Sequence, residues 1–190
     1  MAERSNGTLC PDDRLSGLVL ALGADRARGL RDLDSMIASF PADPRLHFLK
    51  GSMLASSQDY AAARTAMHHA VELAPDYAVA RFQLGLLLLT SAEPYAAQEV
   101  WGPLHALPDD NPLRIFVAGL THLIADRFDD AVLDLERGIV LNRKNAAMNN
   151  DMQLIVDEVR RRRGAQKEDG AAFSSVDILL QQAALKSTRH

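Results

Sequence analysis

Residues 81–90 read RFQLGLLLLT, a Phe and five Leu gathered around Gly85. A run of this kind suits a membrane span, an interior helix, or a surface that holds something apolar. Crossing a bilayer takes about 20 consecutive apolar residues. This stretch is far shorter and is bracketed by Arg81 and Glu93, so it predicts no membrane span. The glycine is its more informative residue. Glycines stand at positions 17, 51, 85 and 119, evenly spaced along the chain.

Several other residue classes keep the same phase. Leu20, Leu54, Leu88 and His122 follow the glycines by three positions. Gly29, Ala63, Ala97 and Ala131 follow by twelve, and Leu33, Met67, Trp101 and Leu135 by sixteen. Tyr60, Pro94 and Phe128 share a ninth position, while Pro41 and Pro75 close the first two units and Pro108 closes the third one residue early. One shared residue type could be chance, but several in a single phase define a repeat.

Each unit reads as two helices. Asp43 is an N-cap, Pro44 fits the first helical position, and the helix is expected to run to about Ala55. The residues SSQD break it, and Asp59 caps a second helix that ends before Pro75. Asn111 and Pro112 repeat the start signal in the fourth unit. Apolar residues recur at helical spacing and no run alternates as a strand would, so the chain is predicted to be all-α.

A helix pair repeating at this interval, with small residues at the crossing points, has the pattern of tetratricopeptide repeats. The segments LKGSML…Y…A…M…A…P at 49–75, LGLLL…A…W…P at 84–108 and AGLTH…F…A…L…G at 118–138 resemble that family, over roughly residues 10–143. The resemblance implies a helix-turn-helix solenoid of about four repeats, near 10–43, 44–77, 78–111 and 112–145, plus a C-terminal capping helix reaching residue 163. Residues 1–9 form an N-terminal tail, and 164–190 a linker with a short tail helix. The family's tryptophan near the start of each unit is replaced by His47, Arg81 and Ile115. The first unit is the most degenerate, with Arg26 and Gly29 at aromatic and Ala positions, as suits an end repeat with one neighbour.

In the family, the first helix of each unit lines a concave face that takes peptide segments of other proteins. By analogy that face carries Phe48, Phe82 and Phe116, then Ser52, Leu86 and Leu120, then Leu89 and Leu123, and these residues are the expected peptide-binding set. Leu84 and Leu88 occupy the core phase, which leaves Phe82, Leu86 and Leu89 on a second apolar face. The positions that clamp a terminal carboxylate in some relatives hold Phe48, Ser52 and Gln83, so no such clamp is expected.

Little else points to chemistry. The chain is 47% hydrophobic and 24% charged, with net charge −4, which gives no reason to expect a nucleic-acid partner. Cys10 is the only cysteine, so no intramolecular disulfide forms, and the opening residues lack a signal-peptide core; a cytoplasmic protein is expected. His68 and His69 are helix neighbours that point about 100° apart and cannot share a metal. His122 reads as a satisfied core histidine, and Asp109, Asp110, Asp129 and Asp130 read as capping and helix-start residues. RRRR at 160–163 reads as a solvated helix end. No phosphate loop, nucleophile elbow or zinc motif is found, so neither catalysis nor a cofactor is expected.

The tail has its own pattern. After the polar stretch AQKEDGAA, Ser174 and Asp177 resemble a capping box, and Val176, Leu179, Leu180 and Ala183 fall on one helical face. Val176, Leu179 and Leu180 could serve self-association. The expected function is therefore a non-catalytic adaptor or chaperone that binds an apolar segment of another protein. The alternatives are a self-assembling structural protein, dimeric through groove or tail, and a bacterial secretion chaperone, suggested by size and repeat number.

Overall fold

The computed structural model describes residues 9–169. They form α1 (Asp12–Ala24), α2 (Arg26–Ser39), α3 (Pro44–Ser56), α4 (Tyr60–Leu73), α5 (Ala78–Thr90), α6 (Pro94–Trp101), α7 (Pro112–Ile124), α8 (Phe128–Leu141) and α9 (Ala146–Asp169), with a 3₁₀ segment at Gly102–Ala106. No strand occurs among the described residues, and the fold is all-α, built from helix-turn-helix pairs. The chain divides into two compact units, Met1–Ala80 and Arg81–His190.

The predicted caps form. Asp43 accepts the backbone N–H of Arg45, Asp59 that of Ala62, and Asn111 that of Leu113. The turn inside each pair is also repeated. In the second pair the N–H of Asp59 reaches the carbonyl of Leu54 and that of Gln58 reaches Ala55, both at 3.0 Å. This crossed pattern is a Schellman motif, which needs a left-handed residue after the helix. Gln58, Ala92 and Asp126 supply it at φ 65°, 63° and 55°, one in each of three successive repeats. The matching residue of the first pair, Ala24, lies inside α1 instead, so Asp25 alone separates α1 from α2. In the third pair Pro103 lacks a backbone donor, and the second helix ends at Trp101 before a 3₁₀ segment that buries Leu104. That tightening accounts for the early closing proline.

The repeated glycines are where paired helices cross. A Cβ on Gly51 would lie 2.5 Å from Met67 Cγ, and one on Gly119 would lie 2.9 Å from Leu135 Cγ. Gly85 sits beneath the Trp101 indole, whose Cδ1 would be 2.5 Å from an added Cβ. Gly17 is different, because a Cβ there would meet nothing within 4 Å. The first pair makes its close approach at Gly29 instead, where a Cβ would be 2.7 Å from Leu22 Cα. Leu20, in phase with the buried Leu88, is 76% exposed. The first unit therefore keeps the period of the repeat without its helix crossing.

The first unit compensates with a polar clasp. Asp43 is buried, and its Oδ2 accepts the backbone N–H of Cys10 at 2.9 Å. Arg45 donates to both Asp43 oxygens, to the carbonyl of Cys10 at 2.5 Å and to Asp12 at 2.6 Å. Burial pushes the Asp43 carboxyl up, but the hydrogen bonds from Arg45 and the Cys10 amide outweigh it and hold the group below its ordinary value of 3.8. One carboxylate thus caps α3 and ties the chain entering α1 to the α2–α3 turn.

In the second unit α9 lays Met148, Met152, Ile155, Val156 and Val159 into the core. It continues to Asp169, so residues 164–169, expected as a linker, are helical. The tail residues Val176, Leu179 and Leu180 lie outside the described residues.

Two predictions test this account by thermal and chemical denaturation. Gly17→Ala should stabilise by about 0.5–1 kcal/mol through helix propensity, whereas Gly85→Ala should cost about 1–3 kcal/mol by displacing Trp101; equal effects would refute the difference between the pairs. Because the folded Asp43 carboxyl has a lowered pKa, its contribution is fully present above the unfolded value near 3.8 and is lost as pH falls through the folded one. The stability gap between wild type and Asp43→Asn should narrow below about pH 4; a gap unchanged from pH 7 to the acid limit would show that Asp43 is not held ionised.

Candidate functional site

The candidate residues hold equivalent sequence positions on the first helices, α3 in one unit and α5 and α7 in the other, and each unit is described by itself. On α3 both members are partly exposed. Phe48 meets Tyr77 edge-on at 5.4 Å, and burial pushes the Tyr77 hydroxyl above its usual range. The Ser52 hydroxyl donates back to the carbonyl of Phe48 at 3.0 Å.

The members in the second unit lie differently. Phe82 is fully buried, stacked on Trp101 at 6.2 Å and tilted against Phe116 at 6.0 Å. The Trp101 indole N–H donates to the carbonyl of Phe82 at 3.1 Å, tying the second helix of the pair to the first. Phe116 is also fully buried, and its ring fills the space left at Gly138, where a Cβ would lie 2.5 Å from Phe116 Cδ1. Leu120 and Leu123 have no exposure, and Leu89 and Leu86 have 2% and 7%.

The expectation of an open apolar face over Phe82, Leu86, Leu89, Phe116, Leu120 and Leu123 is therefore corrected: these side chains are shielded from solvent. The physical reason lies in α5, where every residue from Leu84 to Leu89 is buried. A helix that is apolar on all sides is an interior helix, and its faces cannot be divided into core and ligand site by periodicity alone.

The remaining candidates also resolve. His122 lies between α7 and α8, with Nδ1 buried and 3.5 Å from Asp134 Oδ2, yet without a hydrogen bond among the described residues. The expectation of a satisfied core histidine is corrected on both counts: the side chain is a quarter exposed, and its Nδ1 has no hydrogen bond among the described residues. His68 and His69 both approach Glu72, at 3.2 and 3.3 Å. No group of metal-ligating side chains gathers among the described residues. Asp109 pairs with Arg114 at 2.6 Å. The arginine run is solvated, as expected, and also paired: Arg160 and Arg161 are more than half exposed, while Arg160 meets Glu136 at 2.9 Å, Arg161 and Arg162 share Glu158, and Arg163 bridges to Asp129. Hydrogen bonds from Arg161, against the opposing effect of burial, hold the Glu158 carboxyl below its ordinary range.

Sequence reasoning missed the surface apolar residues. Val19 and Leu20 on α1 are 51% and 76% exposed; separately, an open concavity of about 320 Å³ between α1 and α2 is lined by Arg14, Gly17, Asp32 and Met36. Leu133 and Val140 on α8 are 68% and 72% exposed. The only signal for the second pair is its seven-residue spacing outside the core phase of α8.

No family model and no curated protein sequence matches the chain. Solved structures do match. Residues 41 to the end of MamA from Desulfovibrio magneticus RS-1 superpose with a TM-score of 0.58 at 16% identity, covering 94% of this chain and 96% of that one. A double mutant of the RS-1 protein, MamA ArsTM, superposes at 0.57 and 15% identity, with 93% of each chain covered. MamA is a tetratricopeptide-repeat protein. The fold is tetratricopeptide-like. At these identities the fold is what the chains share. Within that tetratricopeptide-like fold, no helix among the described residues is long and apolar enough to cross a membrane.

The burial of the aromatic row has a measurable consequence. Phe116→Ala should destabilise the second unit by about 3–5 kcal/mol and lower its melting temperature, because it empties the space against Gly138 and Phe82. A variant that melts with the wild type would place the ring at a surface.

Proposed function

We propose that the protein is a non-catalytic interaction scaffold that holds an apolar segment of another protein against α3, the first helix of its second repeat. The observation that carries this reading is the partly exposed Phe48 ring on α3, set edge-on against Tyr77, in a fold whose repeated units supply surface rather than reacting groups. Phe48 and Ser52 are the accessible candidates and make the first contact with the partner. Phe82, Leu86, Leu89, Phe116, Leu120 and Leu123 give the fold its rigidity, and α3 presents the ligand-facing ring.

The chemistry at α3 selects an apolar ligand. Phe48 offers an aromatic face supported by Tyr77, and the Ser52 hydroxyl is occupied within its own helix. A ligand reaching these residues finds carbon surface and little free hydrogen-bonding capacity, which favours a Leu- or Phe-bearing helix or strand over a charged terminus.

A photo-crosslinking residue replacing Phe48 in the full chain tests this directly. A discrete adduct is expected in lysate, and it should disappear when Ser52→Glu is added one turn away, with helicity unchanged. Absence of an adduct, or one indifferent to Ser52→Glu, would remove α3 as the contact surface.

A further inference from the structure

The outward face of α8 is built in an order that complements its own reverse. From its N-terminal end it presents Asp129 and Asp130, then exposed Leu133, then Glu136 and Arg137, then exposed Val140, with Arg143 and Lys144 just past its last residue. Leu133 and Val140 lie two helical turns apart on one face, about 10 Å along the axis. Acidic residues at a helix start and basic ones after its end also suit the helix dipole. The dipole does not explain why two large aliphatic side chains stand in water between them. Among the described residues the side chains of Asp130, Arg137, Arg143 and Lys144 form no ion pair, whereas Asp129 is bridged to Arg163 and Glu136 to Arg160.

We propose that this face binds a second copy of the chain, with the two α8 helices antiparallel about a two-fold axis passing between Glu136 and Arg137. Leu133 and Val140 stand equally far from that point, so Leu133 of each chain packs on Val140 of the partner subunit. The same operation brings Asp130 to Arg143 of the partner subunit and Asp129 to Lys144 of the partner subunit, each contact occurring twice. At the axis each chain contributes one acid, Glu136, and one base, Arg137, so the centre carries no net charge. Leu141, 40% exposed, lies at the edge of the same face and extends the buried strip. An isologous contact requires a self-complementary surface, and a reversed copy provides every partner that this face lacks. A foreign helix would have to carry the same order of charges in reverse.

The proposal does not rest on peptide binding at α3, because it uses the outer face of a different helix in the other unit. The contact is one helix against one helix, smaller than a standard interface, so the dimer is expected to be reversible and concentration-dependent. Sedimentation equilibrium of the full chain should show monomer and dimer exchanging. Leu133→Glu with Val140→Glu should weaken dimerisation about 100-fold at an unchanged melting temperature, since both side chains are exposed. Asp130→Lys should weaken it as well, and adding Arg143→Asp should restore it by exchanging the charges of both bridges. Arg137→Cys, beside the axis, should oxidise to a covalent dimer, while Asp157→Cys, at an exposed position of α9, should not. A chain that stays monomeric up to about 100 μM would overturn the proposal. So would a dimer indifferent to the double Glu variant, which would locate self-association at the tail or at the first-helix faces.

Discussion

The architecture depends on one steric constraint, the absence of a side chain where the first helix of a pair crosses the second. At Gly51, Gly85 and Gly119 the facing residue is sixteen positions later, and it changes from Met67 to Trp101 to Leu135. The three partners differ widely in size and shape, yet the glycine is constant. The crossing fixes how closely two backbones approach, and the larger residue then fills whatever volume remains. Glycine within a helix costs roughly 1 kcal/mol against alanine, so it persists where close packing offsets that cost. Trp101 uses the approach most fully, because its indole lies over Gly85 and its N–H reaches the carbonyl of Phe82. Shape and hydrogen bonding at that crossing come from a single side chain.

Gly17 marks what this constraint leaves out. It belongs to the repeat by spacing, but α1 overruns the position where the other pairs turn, and its glycine faces open space. The left-handed turn residue disappears with it, since Ala24 is helical where Gln58, Ala92 and Asp126 are not. Turn and crossing are therefore linked: the Schellman turn sets the phase at which the second helix returns to the glycine. Where the turn is lost, the close approach moves to Gly29, and the Asp43–Arg45 clasp provides the long-range tie.

This coupling also explains how much was legible from the residues alone. Period, helix boundaries and caps were readable because each depends on chemistry within a few positions, as at Asp43–Pro44, Asp59 and Asn111–Pro112. The crossings at Gly51, Gly85 and Gly119 were readable because they recur. The failure at Gly17 was not, because spacing does not reveal a helix that overruns its turn. The site was read less well for a related reason. Helical spacing shows that Phe82, Leu86 and Leu89 share a face, but what covers a face is settled by side chains remote in sequence. Ion pairs behave likewise: the arginine run found partners because α9 returns along α8, placing Arg163 beside Asp129, one full repeat earlier in the chain.

The same interval shows how the pattern ends. One further repeat beyond Gly119 reaches Gln153, in α9, so the next first helix carries a long polar side chain at the crossing position. Gln153 is not buried, and its amide donates to Asp157 one turn on, within its own helix. A helix with Gln in that place does not admit a tightly crossing partner, and α9 duly runs past the point where each earlier pair turned, continuing to Asp169. Its opposite side is fully committed to the core through Met152, Ile155, Val156 and Val159. The repeat's glycine is thus absent in the helix where the alternation of paired helices ends. That leaves α8 as the last second helix among the described residues, with Leu133 and Val140 still turned to solvent.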